Sequence, residues 1–209
     1  MTGKRLAIFP LTGAVLFPGL QLPLHIFEPR YRAMVQEVLV RDRQIGMVQP
    51  RPTVGGGNDA APPLFDIGCV GHIADVEAMD DGRFNIVLAG LARFRILREL
   101  DVATPFRQVE AEIEAAPPVE ALSSIERAGV EQEAKRFADA QGYVVDWAAV
   151  TQLDDATLVN GIAQIAPFDA AAKQALLEAA SLRERADMAV QLMQFFGRAD
   201  GNEGFVTLQ

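Results

Sequence analysis

The chain changes its hydrophobic rhythm near its middle. Up to about residue 114 the apolar residues come in short runs, many of them alternating with polar ones, whereas later they recur at three- and four-residue spacing. The first rhythm belongs to half-buried strands and the second to amphipathic helices. The change falls at Ala115-Ala116-Pro117-Pro118, where paired prolines stop a strand and cannot continue a helix. A β-rich domain over residues 1–116, an α-helical bundle over 117–200 and a tail over 201–209 are therefore expected.

In the first part, Leu6 to Leu11 reads as a strand and Phe17-Pro18-Gly19 as a turn, since proline presets φ and glycine accepts a positive one. A helix is expected from Pro29 to about Arg41, with Tyr31, Met34, Val35, Val38 and Leu39 on its apolar face. Ile45 to Val48 is a short strand, and Pro50 to Pro63, with three consecutive glycines, is a surface loop. Asp80-Asp81-Gly82 is a hairpin turn between Ile67–Met79 and Arg83–Ala89. Strands at Ala92–Leu97 and Arg107–Glu114 complete about six strands and one helix, enough for a small mixed barrel.

Four or so helices follow. One spans Val119 to Ala140; another, capped by Asp154 or Asp155, runs to Ile165; Asp169 caps Ala170 to Ala179; and Ser181 with Glu184 forms a capping box ahead of a helix ending at Gly197. The fold class predicted is α+β.

Composition narrows the chemistry. Half of the 209 residues are hydrophobic and 22% are charged, as in ordinary globular proteins. The run from Leu6 to Phe27 has no Asp, Glu, Lys or Arg, but Pro10, Pro18 and Pro23 break the helix that a signal peptide or membrane span requires. A cytoplasmic protein that does not engage a membrane is expected. The net charge of −9 disfavours nucleic acid, although arginines crowd residues 30–51 and 83–107 and leave an RNA-binding alternative. Cys69 is the single cysteine and reads as a small buried hydrophobe.

Catalytic constellations are hard to assemble. His25 and His72 are the only histidines and show no metal-ligand spacing, and no serine sits in a G-x-S-x-G elbow. Neither Gly3-Lys4-Arg5 nor Gly55-Gly56-Gly57 makes a P-loop. Asp80-Asp81 and Asp154-Asp155 are accounted for by turn and cap chemistry. No metal, no cofactor and no enzymatic activity are expected.

The densest stretch is Leu22-Pro23-Leu24-His25-Ile26-Phe27-Glu28-Pro29-Arg30-Tyr31-Arg32. Together with Phe9-Pro10-Leu11, Phe17-Pro18-Gly19, Val70-Gly71, Gly82-Arg83-Phe84 and Gly90-Leu91-Ala92-Arg93-Phe94-Arg95-Ile96, it resembles the Lon substrate-binding family. The helical half echoes the same family at 163–168 and 175–178. The resemblance implies a PUA-like β pseudo-barrel with one helix followed by a helical bundle. It also implies a binding module for unfolded or extended polypeptide, or an adaptor in protein quality control, serving a separate ATPase and protease. The chain is expected to end before either of those modules. Phe17, Leu22, His25, Phe27 and Tyr31 are candidate peptide contacts, and Glu28, Arg30, Arg93 and Arg95 candidate structural ion pairs.

Overall fold

The computed structural model describes residues 3–52, 62–115 and 120–199. The chain forms two compact units, Met1–Pro117 and Pro118–Gln209. The outer parts of the Pro50–Pro63 loop are described, but its centre, the linker prolines and the expected tail lie outside the described residues.

Among its described residues, unit 1 contains six strands: β1 (Lys4–Pro10), β2 (Gln21–Ile26), β3 (Gln44–Val48), β4 (Ile67–Ala78), β5 (Phe84–Leu100) and β6 (Gln108–Ile113), with helix α1 (Pro29–Leu39) between β2 and β3. They run in the order β2-β5-β4-β3-β1-β6, and β5 also pairs with β6. That last pairing closes five strands into a barrel and leaves β2 outside the ring. The β1–β3 pair is parallel and the other pairs are antiparallel.

Closure depends on β5. One edge of this strand pairs with β4, while the other holds β2 along Phe84–Ala89 and β6 along Phe94–Leu100. The strand bends where it changes partner. Leu91 has no residue opposite it in β4, Leu97 none in β6, and both are half exposed. These bulges add the local twist that a small barrel needs. Gly90, beside the first of them, donates its N–H to the Leu20 carbonyl (2.8 Å) and accepts from the Gly19 N–H (2.9 Å). A Cβ at Gly90 would fall on the Phe17 carbonyl oxygen. The residue is glycine because the Phe17–Leu20 turn rests on the strand backbone there.

The barrel interior holds Leu6, Ile8, Val48, Val70, Phe94, Val109 and Ala111. The Phe94 ring takes the space that side chains at Gly46 and Gly68 would fill, so large and small residues interdigitate. Phe9, on the opposite face of β1 from Ile8, packs against Tyr31 of α1 with ring centroids 4.3 Å apart. From Leu6 onward β1 is therefore packed on both faces, which explains why that part of the strand is apolar throughout.

Unit 2 consists of helices α2 (Ser124–Ala140), α3 (Trp147–Val150), α4 (Asp155–Ile165), α5 (Ala170–Glu178) and α6 (Leu182–Ala199). Ser123 and Glu126 form a full capping box on α2, and Asp154 and Asp169 cap α4 and α5. Ser181 accepts from the Glu184 N–H at the start of α6. Val130, Leu158, Val159, Leu182 and Ala186 make the core. Arg185 is buried among them, donating to the Leu176 carbonyl at the end of α5 (2.8 Å) and to Asn160 of α4 (2.9 Å). One cation thus ties three helices, at a helix C-terminus where positive charge is favoured.

The α+β class expected from the sequence is the one observed, with several local corrections. β2 was not expected as a strand. Pro23 argues against a central strand, and β2 is an edge strand, where proline is tolerated. Ala92–Leu97 is not a separate strand but part of the continuous β5, which passes through Gly90 without ending. α2 begins at Ser124 rather than Val119, because Ser123 is its cap. α6 runs through Gly197, and the one-turn α3 makes five helices among the described residues of unit 2.

Two stability outcomes follow from these constraints. Gly90→Ala forces backbone against backbone and lowers unfolding free energy by about 3 kcal/mol, read from the urea midpoint at unchanged slope; a loss under about 1 kcal/mol rules out the close approach. Arg185→Ala removes the buried guanidinium that joins Asn160 to the Leu176 carbonyl and costs about 3 kcal/mol, whereas Arg183→Ala, exposed on the same helix, stays within about 0.5 kcal/mol of the parent.

Candidate functional site

The signature residues converge on β2 and the turn into α1. Antiparallel pairing sets Gln21, Pro23 and His25 opposite Ala89, Val87 and Asn85, and the Gly90 N–H bond to Leu20 fixes the phase of the ladder. Alternate residues Leu22, Leu24 and Ile26 turn their backbone groups to β5. Gln21, Pro23 and His25 turn theirs away. Pro23 thus occupies a position whose missing N–H leaves no gap in the ladder with β5. On the outward edge, Pro23 therefore presents a carbonyl but no N–H. No strand pairs with that edge among the described residues.

Side chains alternate in the same period. Gln21, Pro23 and His25 are exposed, Leu22 and Leu24 half-buried, and Ile26 fully buried. Phe27 follows and is 60% exposed. Its ring lies 6.2 Å from that of His25, nearly parallel to it. A large aromatic side chain left in solvent beside a strand edge is an uneconomical placement for a residue with no surface role.

A polar ladder holds this corner. His25 Nδ1 is 2.8 Å from Asn85 Oδ1, and Asn85 Nδ2 donates to Glu77 Oε2 at 2.8 Å, so one chain of contacts crosses β2, β5 and β4. Arg83 Nη1 lies 3.4 Å from His25 Nε2 and pairs with Asp81 at 2.6 Å. The Arg83 backbone N–H bonded to Asp81 Oδ1, helped by the Arg83 guanidinium, holds the Asp81 carboxyl below its usual range. With both ring nitrogens engaged, His25 orients the strand and has no free nitrogen aimed at a nucleophile.

Two candidate contacts are placed elsewhere. Phe17 is fully buried and Tyr31 is 5% exposed. Both are core residues, and neither offers surface to a peptide. The Tyr31 ring packs against Phe9, and the Arg30 guanidinium lies 4.5 Å from its centroid. Burial pushes the Tyr31 hydroxyl up, with Glu28 reinforcing and Arg30 and Arg107 opposing the shift. Leu22, His25 and Phe27 remain at the surface, joined by Leu24. Asn85, Glu77 and Arg83 belong to the same corner, and sequence reasoning passed over them because their link to His25 exists only once β2 is recognised as a strand.

The charged candidates have local partners. Glu28 and Arg30 pair with each other at 2.9 Å, on the surface. Arg93 pairs with Glu114 at 2.7 Å, and Arg95 is exposed on β5 opposite Glu112 of β6. The arginine-rich stretches do not form an open cationic stripe. Lys4, Arg30, Arg41, Arg51, Arg83, Arg93, Arg98 and Arg107 of unit 1 are all in ion pairs. Arg107 grips Glu99 with two bonds of 2.7 Å, which hold the Glu99 carboxyl below its usual range despite partial burial. Among the described residues, no cluster of three or more His, Cys, Asp or Glu side chains suits a metal ion, and no helix is long and apolar enough to cross a membrane.

Comparison with known proteins gives this corner a context. The chain is 28% identical over 193 residues to the Lon protease of Methylocella silvestris, and 29% identical over 198 residues to Lon protease 2 of Myxococcus xanthus. Each alignment covers 90% of this chain but only 24% and 23% of the relative, so the chain spans about a quarter of their length. Among solved structures, a Lon N-terminal domain protein from Xanthomonas campestris superposes with a TM-score of 0.67 at 19% identity, covering 92% of this chain and 98% of that one. The N-terminal domain of a Mycobacterium avium complex Lon protease gives 0.65 at 20%, covering 91% and 98%. These two establish the shared fold. A family model for the substrate-binding domain of ATP-dependent protease La (LON) matches residues 5–194, which takes in both units, and the chain belongs to that family.

Proposed function

We propose that the chain is a non-catalytic recognition module that holds unfolded or extended polypeptide at the β2 edge of unit 1 and delivers it to an ATP-driven protease in the cytoplasm. The observation that carries this reading is Phe27, 60% exposed, its ring held beside that of His25 at the end of a strand edge that no other strand covers among the described residues. Apolar anchors of this kind capture side chains without demanding a sequence, and the edge offers backbone bonds at alternate positions. Pro23 limits those bonds, so side-chain contact carries most of the affinity. The ion-paired arginines of unit 1 favour polypeptide over RNA, because a paired guanidinium releases few counterions when it meets a phosphate.

The decisive comparison measures binding to a reduced, carboxymethylated unfolded protein, to its folded parent and to a structured RNA, each across a salt series. The unfolded chain is expected to bind with little loss at high salt, and Phe27→Ser to weaken it about tenfold without moving the unfolding midpoint. RNA binding that falls steeply with salt and ignores Phe27→Ser sinks the proposal. The edge has its own test. Pro23→Val supplies the missing outward donor, and sedimentation velocity is expected to show concentration-dependent self-association in place of a single species; a variant as monodisperse as the parent shows that proline is not what guards the edge.

A further inference from the structure

A second surface lies wholly within unit 2, where α2 and α6 leave a cleft of about 520 Å³. Leu122, Val130, Ala186 and Val190 form its apolar floor. The cleft follows α6 from Arg183 to Gln194, about 16 Å or three helical turns. Its rim is acidic in excess. Glu126 pairs with Arg183 and Glu133 with Arg136, while Asp187 is exposed and makes no ion pair among the described residues. The surrounding sequence deepens this charge, for residues 118–209 contain 14 Asp and Glu against seven Lys and Arg. Most of the net charge of −9 therefore belongs to the helical unit.

Gly129 sits in the wall of this cleft, in the middle of α2. Glycine weakens a helix interior, and here no neighbouring atom lies within 4 Å of where a Cβ would be. Nothing in the surrounding structure demands a glycine at that position. Its effect is to let another backbone come close to α2, as small residues do where helices pack tightly.

We infer that the α2–α6 cleft of unit 2 docks a basic amphipathic helix, whose apolar face covers the Leu122–Val190 floor beside Gly129 and whose Lys or Arg residues meet Asp187. Charge complementarity selects this occupant. An acidic amphipathic helix meets an unpaired carboxylate and a unit of like charge, and an RNA meets the same repulsion. The cleft shares no residue with the β2 edge.

The test uses the whole chain and synthetic helical peptides carrying leucines on one face and either lysines or glutamates on the other, with a Ser/Lys peptide as a charge-only control. Calorimetry is expected to detect the Leu/Lys peptide alone. Gly129→Leu, which fills the cleft from an open position and favours helix, should weaken that binding about tenfold, and Asp187→Lys should weaken it about threefold. Gly129→Ala and far-ultraviolet circular dichroism establish that the helix persists. Phe27→Ser should leave Leu/Lys binding unchanged, which separates this surface from the β2 edge. Absence of Leu/Lys binding, equal binding of the Ser/Lys peptide, or indifference to Gly129→Leu overturns the inference.

Discussion

The meeting of the Phe17–Leu20 turn with the backbone of β5 at Gly90 is the constraint on which unit 1 depends. A strand has two edges, and β5 serves three partners. It does so by bulging at Leu91 and giving up β2 for β6. The Gly19 and Leu20 backbone bonds to Gly90 hold the turn at that junction, and they also set the phase of β2. Phase decides everything that follows at the surface: which β2 side chains enter the core, which backbone groups face outward, and that Pro23 takes an outward one. A one-residue slip would bury His25, expose Leu24 and direct the proline into the β5 ladder.

Much of this architecture was legible because its signals are local. Asp80-Asp81-Gly82 makes a turn wherever it stands, and the structure shows Gly82 at φ +78°. Asp154, Asp169 and Ser181 cap helices through bonds spanning three residues, whereas the same kind of bond at Ser123 was passed over. The signals that misled depend on distant partners. Pro23 argues against a strand unless the strand is known to lie at an edge, and Gly90 suggests an end unless the turn resting on it is known. The candidate contacts divide in the same way. Phe17, Phe27 and Tyr31 are equivalent as aromatic residues of one motif, yet two are buried and one is exposed. The difference arises from Phe9 and the barrel, far away in sequence for Tyr31.

Electrostatics shows the same dependence on pairing. Twelve Lys and Arg residues in Met1–Pro117 look like a phosphate-binding stripe when counted. In the fold they are mostly spent on neighbouring carboxylates: Arg98 on Glu110 and Arg107 on Glu99 across the β5–β6 pair, and Arg51 on Asp66 at the stem of the 50–63 loop. Such exposed pairs add little stability individually. Their consequence is to neutralise unit 1 locally, leaving the acidic excess to the helices.

The exposed edge of β2 poses a conflict that its sequence resolves. A surface suited to unfolded polypeptide needs accessible apolar groups and open backbone, which are also the features that let folded proteins aggregate through sheet edges. Here the two requirements are separated by residue. Phe27 stands beyond the end of β2, where it can bind side chains without extending the sheet. Pro23, in the middle of the strand, removes one donor from the outward edge, so a second copy cannot complete a continuous ladder. His25, bonded through Asn85 to Glu77 across three strands, keeps the edge in register without any partner. On the proposed reading, an incoming chain would gain apolar contact at once but few backbone bonds. On that reading, the balance favours reversible capture over tight binding.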